Sequence, residues 1–176
     1  MRVQVGEWTL EVRQGDQPFA HLLLLAGGVL EAFGDLEAPT YQDDQLLCVG
    51  VGKSKPAELV VVQRFESHGG VFGPGVLIVP ETGLLFLGAG TRLLAYDLNE
   101  PTRLWEDFTE HGFLAWDRIG GVVLMSAELE LAAWTTAGRK LWTTFVEPPW
   151  SYSRDGDDLE LDVMGNVSHF SILTGP

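Results

Sequence analysis

Leu84-Leu85-Phe86-Leu87-Gly88-Ala89-Gly90 runs into Arg92-Leu93-Leu94-Ala95-Tyr96-Asp97 and closes on Leu104-Trp105. The pattern returns about 38 residues later, a spacing characteristic of repeated β units. There Val122-Val123-Leu124-Met125-Ser126-Ala127 leads into Glu130-Leu131-Ala132-Ala133-Trp134 and closes on Leu141-Trp142. An earlier copy starts at Leu46-Leu47-Cys48-Val49-Gly50, and a decayed one starts near Leu159-Glu160-Leu161-Asp162-Val163. One such unit cannot bury its own apolar face, so copies stack on their neighbours.

Outward from the repeat, short apolar runs rich in Val, Leu, Phe and Trp are punctuated by turn signals. These are Gly15-Asp16, Gly27-Gly28, Gly34-Asp35, Gly69-Gly70, Thr82-Gly83, Gly120-Gly121, Ala137-Gly138 and Asp155-Gly156. That spacing predicts an all-β chain of hairpins and meanders. A helix over Asp117 to Ala133 is opposed by Gly120-Gly121 and by the β-branched pair Val122-Val123. The third copy is expected as strands Phe113 to Asp117, Val122 to Ala127, Leu129 to Trp134 and Lys140 to Val146. Pro148-Pro149 then breaks the ladder, because proline has no N–H to donate. Val3 to Arg13 reads as a strand or hairpin. Phe19 to Leu25 and Val29 to Phe33 read as a pair joined at Gly27-Gly28, and Asp35 to Asp44 as a connection. Ser67 to Gly75 reads as a mobile loop. Residues 1–176 form a single domain in this reading. Residues 1–40 supply non-repeating strands, and 41–176 supply about three to four blade-like repeats. The N-terminal part caps the array, supplies a missing strand, or turns the whole into a two-sheet sandwich. The leading architecture is a small or partial propeller-like array, with a β-sandwich or barrel as the alternative.

The closings of two copies resemble the repeat of quinoprotein-type β-propellers: an Ala, an Asp two residues on, a Thr-Gly turn, and a Trp ten residues after the Ala. Ala95, Asp97 and Trp105 keep that spacing, with Glu100-Pro101 where Thr-Gly is usual. Ala132, Gly138 and Trp142 keep it too, with Trp134 where the Asp is usual. The resemblance covers roughly residues 76–146 and implies that the Trp packs between neighbouring blades. The Asp and the turn would tie strands together. It carries over neither the quinone nor the dehydrogenase chemistry, since a fold does not imply an activity. No cofactor is expected.

The chain has 176 residues, enough for one domain, and 45% of them are hydrophobic against 20% charged, a composition that packs a core. Its 25 acidic and 11 basic residues leave a net charge of −14, which disfavours nucleic acid and anionic membrane surfaces as partners and could steer a protein with a basic surface. Cys48 is the only cysteine and lies in an apolar run, so a buried thiol is expected and no internal disulfide can form. The N-terminus lacks the apolar stretch of a signal peptide, and Leu22 to Leu30 is too short to span a bilayer. A cytoplasmic, bacterium-like setting is expected.

No cluster rises to a catalytic or metal signature. His21, His68, His111 and His169 are far apart, and Asp107, Glu110 and His111 would need a loop to share a metal. Asp155-Gly156-Asp157-Asp158 lacks the spaced ligands of a calcium loop and reads as a hairpin turn. Gly50-Val51-Gly52-Lys53-Ser54 catches the eye, but Leu47 stands where a phosphate loop has its first glycine and Pro56 stops a helix. Glu128 and Glu130, two apart, could do acid–base work from one strand face. The best surface candidate is Glu147-Pro148-Pro149-Trp150-Ser151-Tyr152, which sets Trp150 and Tyr152 on a stiff loop beside Glu147. The alternative is that Trp150 folds back as a plug. The functional expectation is a non-enzymatic binding or scaffold protein using its loops. An acidic inhibitor or immunity-type protein neutralising a basic partner is the second reading, and a hydrolase the third. A partial array could also pair its open edges as a dimer.

Overall fold

The computed structural model describes residues 1–15, 26–36 and 43–176 of the chain. It is all β. The strands are β1 (Arg2–Val5), β2 (Trp8–Gly15), β3 (Ala26–Phe33), β4 (Asp44–Gly52), β5 (Ala57–Glu66), β6 (Gly75–Val79), β7 (Leu84–Ala89) and β8 (Arg92–Asp97). They continue as β9 (Thr102–Phe108), β10 (Phe113–Ile119), β11 (Val122–Ala127), β12 (Glu130–Thr135), β13 (Lys140–Phe145), β14 (Trp150–Asp155), β15 (Asp158–Val163) and β16 (Asn166–Ser171). Among the described residues no helix is long and apolar enough to cross a membrane.

Four sheets follow one another along the chain. The first has the order β1-β2-β4-β5-β3, the second β6-β7-β8-β9, the third β10-β11-β12-β13 and the fourth β14-β15-β16. The second and third are antiparallel meanders, which is the repeat made visible. The expected strands of the third copy agree with the observed ones to within two residues, and the Pro148-Pro149 segment separates β13 from β14. Asp117 to Ala133 is strand and turn throughout.

The sheets stack face to face through three apolar seams. Trp8, Leu47, Val49, Leu59 and Val61 of the first meet Ile78, Leu85, Leu87, Leu94 and Tyr96 of the second. Leu84, Phe86, Leu93 and Ala95 then meet Phe113, Val123, Met125, Ala132 and Trp134 of the third. Leu124, Leu131, Ala133 and Trp142 meet Leu159, Leu161 and Ile172 of the fourth. The central strands β7 and β11 are therefore buried on both faces, every residue of each. That explains why they read as unbroken apolar runs rather than as the alternation of a one-sided sheet. Fully burying one such Leu or Phe contributes about 1.5–3 kcal/mol. A two-layer sandwich or a closed barrel offers no place for a row of sheets buried on both sides. The array is propeller-like, and among the described residues no buried cluster joins the fourth sheet to the first.

The N-terminal strands do not stand apart. β1 and β2 extend the first sheet on the side of β4, and β3 adds to the far side of β5 in parallel. The expected turn at Gly27-Gly28 is not one: both glycines lie inside β3, where a Cβ on Gly28 would stand 2.2 Å from the Glu58 carbonyl oxygen. The pair marks close backbone approach, a second use of glycine in strands. The strand expected over residues 19–25, His21, and the middle of the expected connection over 35–44 lie outside the described residues.

The loop over Ser67 to Gly75 is held by hydrogen bonds. Ser67 N donates to Asp43 O at 2.8 Å, Phe72 N to Ser67 O at 3.1 Å, and Gly69 N to Asp43 Oδ1 at 3.0 Å. Phe72 is buried. Its glycine content serves positive φ angles at Gly69 and Gly70.

Candidate functional site

The repeat residues sit at the seams. Ala95 is fully buried in β8, and Asp97 closes that strand by accepting from Asn99 N at 2.8 Å. Trp105, on the outer strand β9, stacks on Trp134 of the next sheet with centroids 5.5 Å apart and planes 18° apart. Its Nε1 donates to Gly138 O at 2.7 Å. Gly138 has φ of +83°, a conformation that glycine takes without strain, and its Cα faces Leu84, Leu104 and Trp105. Ala132 is buried in β12 opposite that ring cluster. One sheet further on, the device repeats: Trp142 Nε1 donates to Ile172 O at 2.8 Å and packs on Gly175, whose φ is +74°. Each tryptophan thus pins the turn of the following sheet. The Thr174-Gly175 turn belongs to this set and was missed by the sequence reading; a Thr-Gly pair one period after Gly138 is the signal that finds it.

The proline-rich loop is arranged differently around its three candidates. Glu147 is exposed on the loop. Trp150 and Tyr152 are partly buried, stacked on each other at 6.3 Å and 19°, and packed against the seam between the third and fourth sheets. Trp150 Nε1 donates to Glu128 O at 3.0 Å, and the Tyr152 hydroxyl donates to Asp117 Oδ2 at 3.4 Å. Burial, with the Asp117 carboxylate beside it, raises the Tyr152 phenol above its ordinary range.

The paired acids do not converge. Glu128 stands in the turn before β12, Glu130 opens that strand and accepts from Thr143 Oγ1 at 2.7 Å, so the shared strand face expected of them is not formed. Asp107 pairs with Lys140 Nζ at 2.8 Å across to the next sheet. The His111 carbonyl accepts the Thr109 hydroxyl, and the His111 side chain does not join Asp107. Among the described residues no group of three or more His, Cys, Asp or Glu could hold a metal. Gly50 to Gly52 end β4, and β5 rather than a helix follows Lys53-Ser54-Lys55-Pro56.

Two features escaped the sequence. The first welds the outer strands of the first two sheets. The Tyr96 hydroxyl donates to Glu31 Oε2 at 2.7 Å, and Arg103 lies 3.6 Å from Glu31 and 3.2 Å from Glu106. Arg92 pairs with Glu106 and lies over the rings of Phe33 and Phe108. Burial, reinforced by Glu31, pushes the Tyr96 phenol far up. No local signal links Glu31 to Tyr96, 65 residues away.

The second is the edge of the fourth sheet. The second and third sheets carry β9 and β13 outside β8 and β12, whereas β16 has no described partner on that side. Ile172 N bonds to Asp157 O on the β15 side, so strand alternation turns the backbone groups of Val167 and His169 outward. Leu159 and Leu161 face the seam, which sets Glu160 and Asp162 on the opposite, outer face beside Ser151, Ser153, Val167 and His169. Asp155, Asp157 and Asp158 crowd the turn between β14 and β15.

The fold defines a class: a propeller-like stack of β blades. No known family pattern matches the chain, and no curated protein matches it. Among solved structures it is similar to the computationally designed Ika4 protein, at 14% identity over 60% of this chain and 69% of that one, with a TM-score of 0.45. It is also similar to BamB from Moraxella catarrhalis, at 14% identity over 77% of this chain and 44% of that one, with a TM-score of 0.44. The chain thus spans less than half the length of that BamB chain.

Proposed function

We propose that the chain is a non-enzymatic binding or scaffold protein that receives its partner at the fourth sheet. The supporting observation is the outer edge of β16, which no strand among the described residues pairs, beside a concentration of carboxylates. An unpaired edge is a template for an extended segment of another chain, which adds as a strand through backbone hydrogen bonds. Glu160 and Asp162 on the outer face, with the aspartates of the β14–β15 turn, select for lysine or arginine in that segment. The stack supplies the rigidity, since each sheet is fixed on its neighbour by buried aromatic residues. The second reading, an acidic inhibitor of a basic protein, is favoured by the same carboxylates and differs in mechanism: there the charge, not the strand edge, would carry the contact.

Val167→Pro separates them. Its N–H points outward, so proline removes a donor from the edge and none from the sheet. Strand addition predicts that the variant keeps its melting temperature and no longer captures, from lysate of its own cell, the protein that wild type captures. Capture undiminished in Val167→Pro but abolished by salt of about 0.5 M would point to the inhibitor reading, since screening acts on charge. Capture of nothing by wild type would overturn both.

A further inference from the structure

The outer face of the first sheet holds a cavity of about 470 Å³, within the range of small-molecule sites. Its apolar lining includes Cys48, Val60, Ala57 and Pro56. Gly50 keeps it open: among the described residues a Cβ there would meet only the Ala57 methyl, at 3.6 Å. Among the described residues, three cations stand at the cavity, Arg2, Arg13 and Lys55, with one carboxylate, Glu11. In a chain of net charge −14 this is a local reversal of sign. Arg13 is engaged with Glu11 at 2.5 Å. Arg2, in register with Glu11 on the neighbouring strand, and Lys55 make no described hydrogen bond or ion pair. Their charge is felt at the Glu11 carboxyl, which Arg13 first and then Arg2 and Lys55 hold below its ordinary range.

We infer that this cavity is a binding site for a small amphiphilic carboxylate, its tail on Val60, Ala57 and Pro56 and its head between Arg2 and Lys55. An apolar floor with a few convergent charged groups fixes both the class and the orientation of a ligand. The Cys48 thiol, pushed up to about 11 by burial, lines the floor as a neutral group and not as a nucleophile. The site is independent of the β16 edge, at the opposite end of the stack, so either can fail alone.

The test is titration of the isotope-labelled protein with octanoate, octylamine and inorganic phosphate. Octanoate at about 5 mM is expected to move the amide signals of Cys48, Gly50, Gly52 and Val60, with the other two probes leaving them in place. The double variant Arg2→Gln/Lys55→Gln is expected to weaken octanoate at least about tenfold. Gly50→Leu, which fills the cavity, is expected to abolish the shifts. Gly50→Ala, a smaller filling, keeps the test valid if leucine disturbs the sheet, and is expected to weaken octanoate without lowering the melting temperature. Equal response to octylamine or phosphate, binding undiminished in the cation or glycine variants, or no response to octanoate would each overturn the proposal.

Discussion

Trp105 shows what one side chain does for the stack. Its ring lies on Trp134 and beside Phe86, and its indole N–H reaches the Gly138 carbonyl 33 residues on. Trp105→Ala removes both ring and donor and should cost about 3–5 kcal/mol in urea unfolding. Trp105→Phe keeps a ring and gives up the hydrogen bond, so its loss should be about 1–2 kcal/mol. If the two variants unfold alike, the seam does not depend on the ring. Tyr96 makes a prediction in pH. The folded protein holds its phenol protonated well above the ordinary value, through burial and then Glu31. The stabilisation is therefore full below the unfolded-state pKa of about 10 and is lost as pH rises beyond it, because the unfolded chain releases the proton first. Melting temperature should fall as pH rises above about 10, and Tyr96→Phe should reduce that slope; an unchanged slope would remove Tyr96 as its source.

At the scale of elements, phase within a strand decides what a substitution does. Ser168 lies opposite Leu161, its hydroxyl 3.4 Å from that carbonyl, and its backbone N–H faces β15, whereas that of Val167 faces outward. Ser168→Pro should therefore cost about 3 kcal/mol and Val167→Pro less than about 1 kcal/mol. Equal losses by chemical denaturation would contradict the strand phase on which the proposed edge contact rests. The repeating elements were legible because each carries its own signal: apolar runs of five or six residues, a turn glycine, a closing tryptophan. β3 was not legible. Its glycines read locally as a turn, and only the approach of the Glu58 backbone, supplied by β5, makes them strand residues. Glu128 failed for a similar reason, since the two-residue rule for strand faces stops at the turn in which it stands.

For the whole molecule, the stack is a one-dimensional object in which each sheet answers to its neighbours. Its first and fourth sheets differ in sign: a cationic, cavity-bearing outer face on the first and an acidic outer face on the fourth. The net charge of −14 works against compactness at low ionic strength. Raising salt from about 20 to 200 mM should raise the melting temperature by screening that repulsion. A fall would mean that the exposed ion pairs, such as Arg118 with Glu81 and Lys140 with Asp107, outweigh it. The sequence by itself determined the strands of the second and third sheets, their period and their closing tryptophans, because these follow from local pattern and spacing. Tertiary structure alone decided where those tryptophans donate, that β3 completes the first sheet in parallel, and that Trp150 and Tyr152 stack in a seam. It also gathered Arg2, Arg13 and Lys55 around one cavity. The physical reason is that register, burial and charge proximity are relations between distant segments, which no local run of residues encodes.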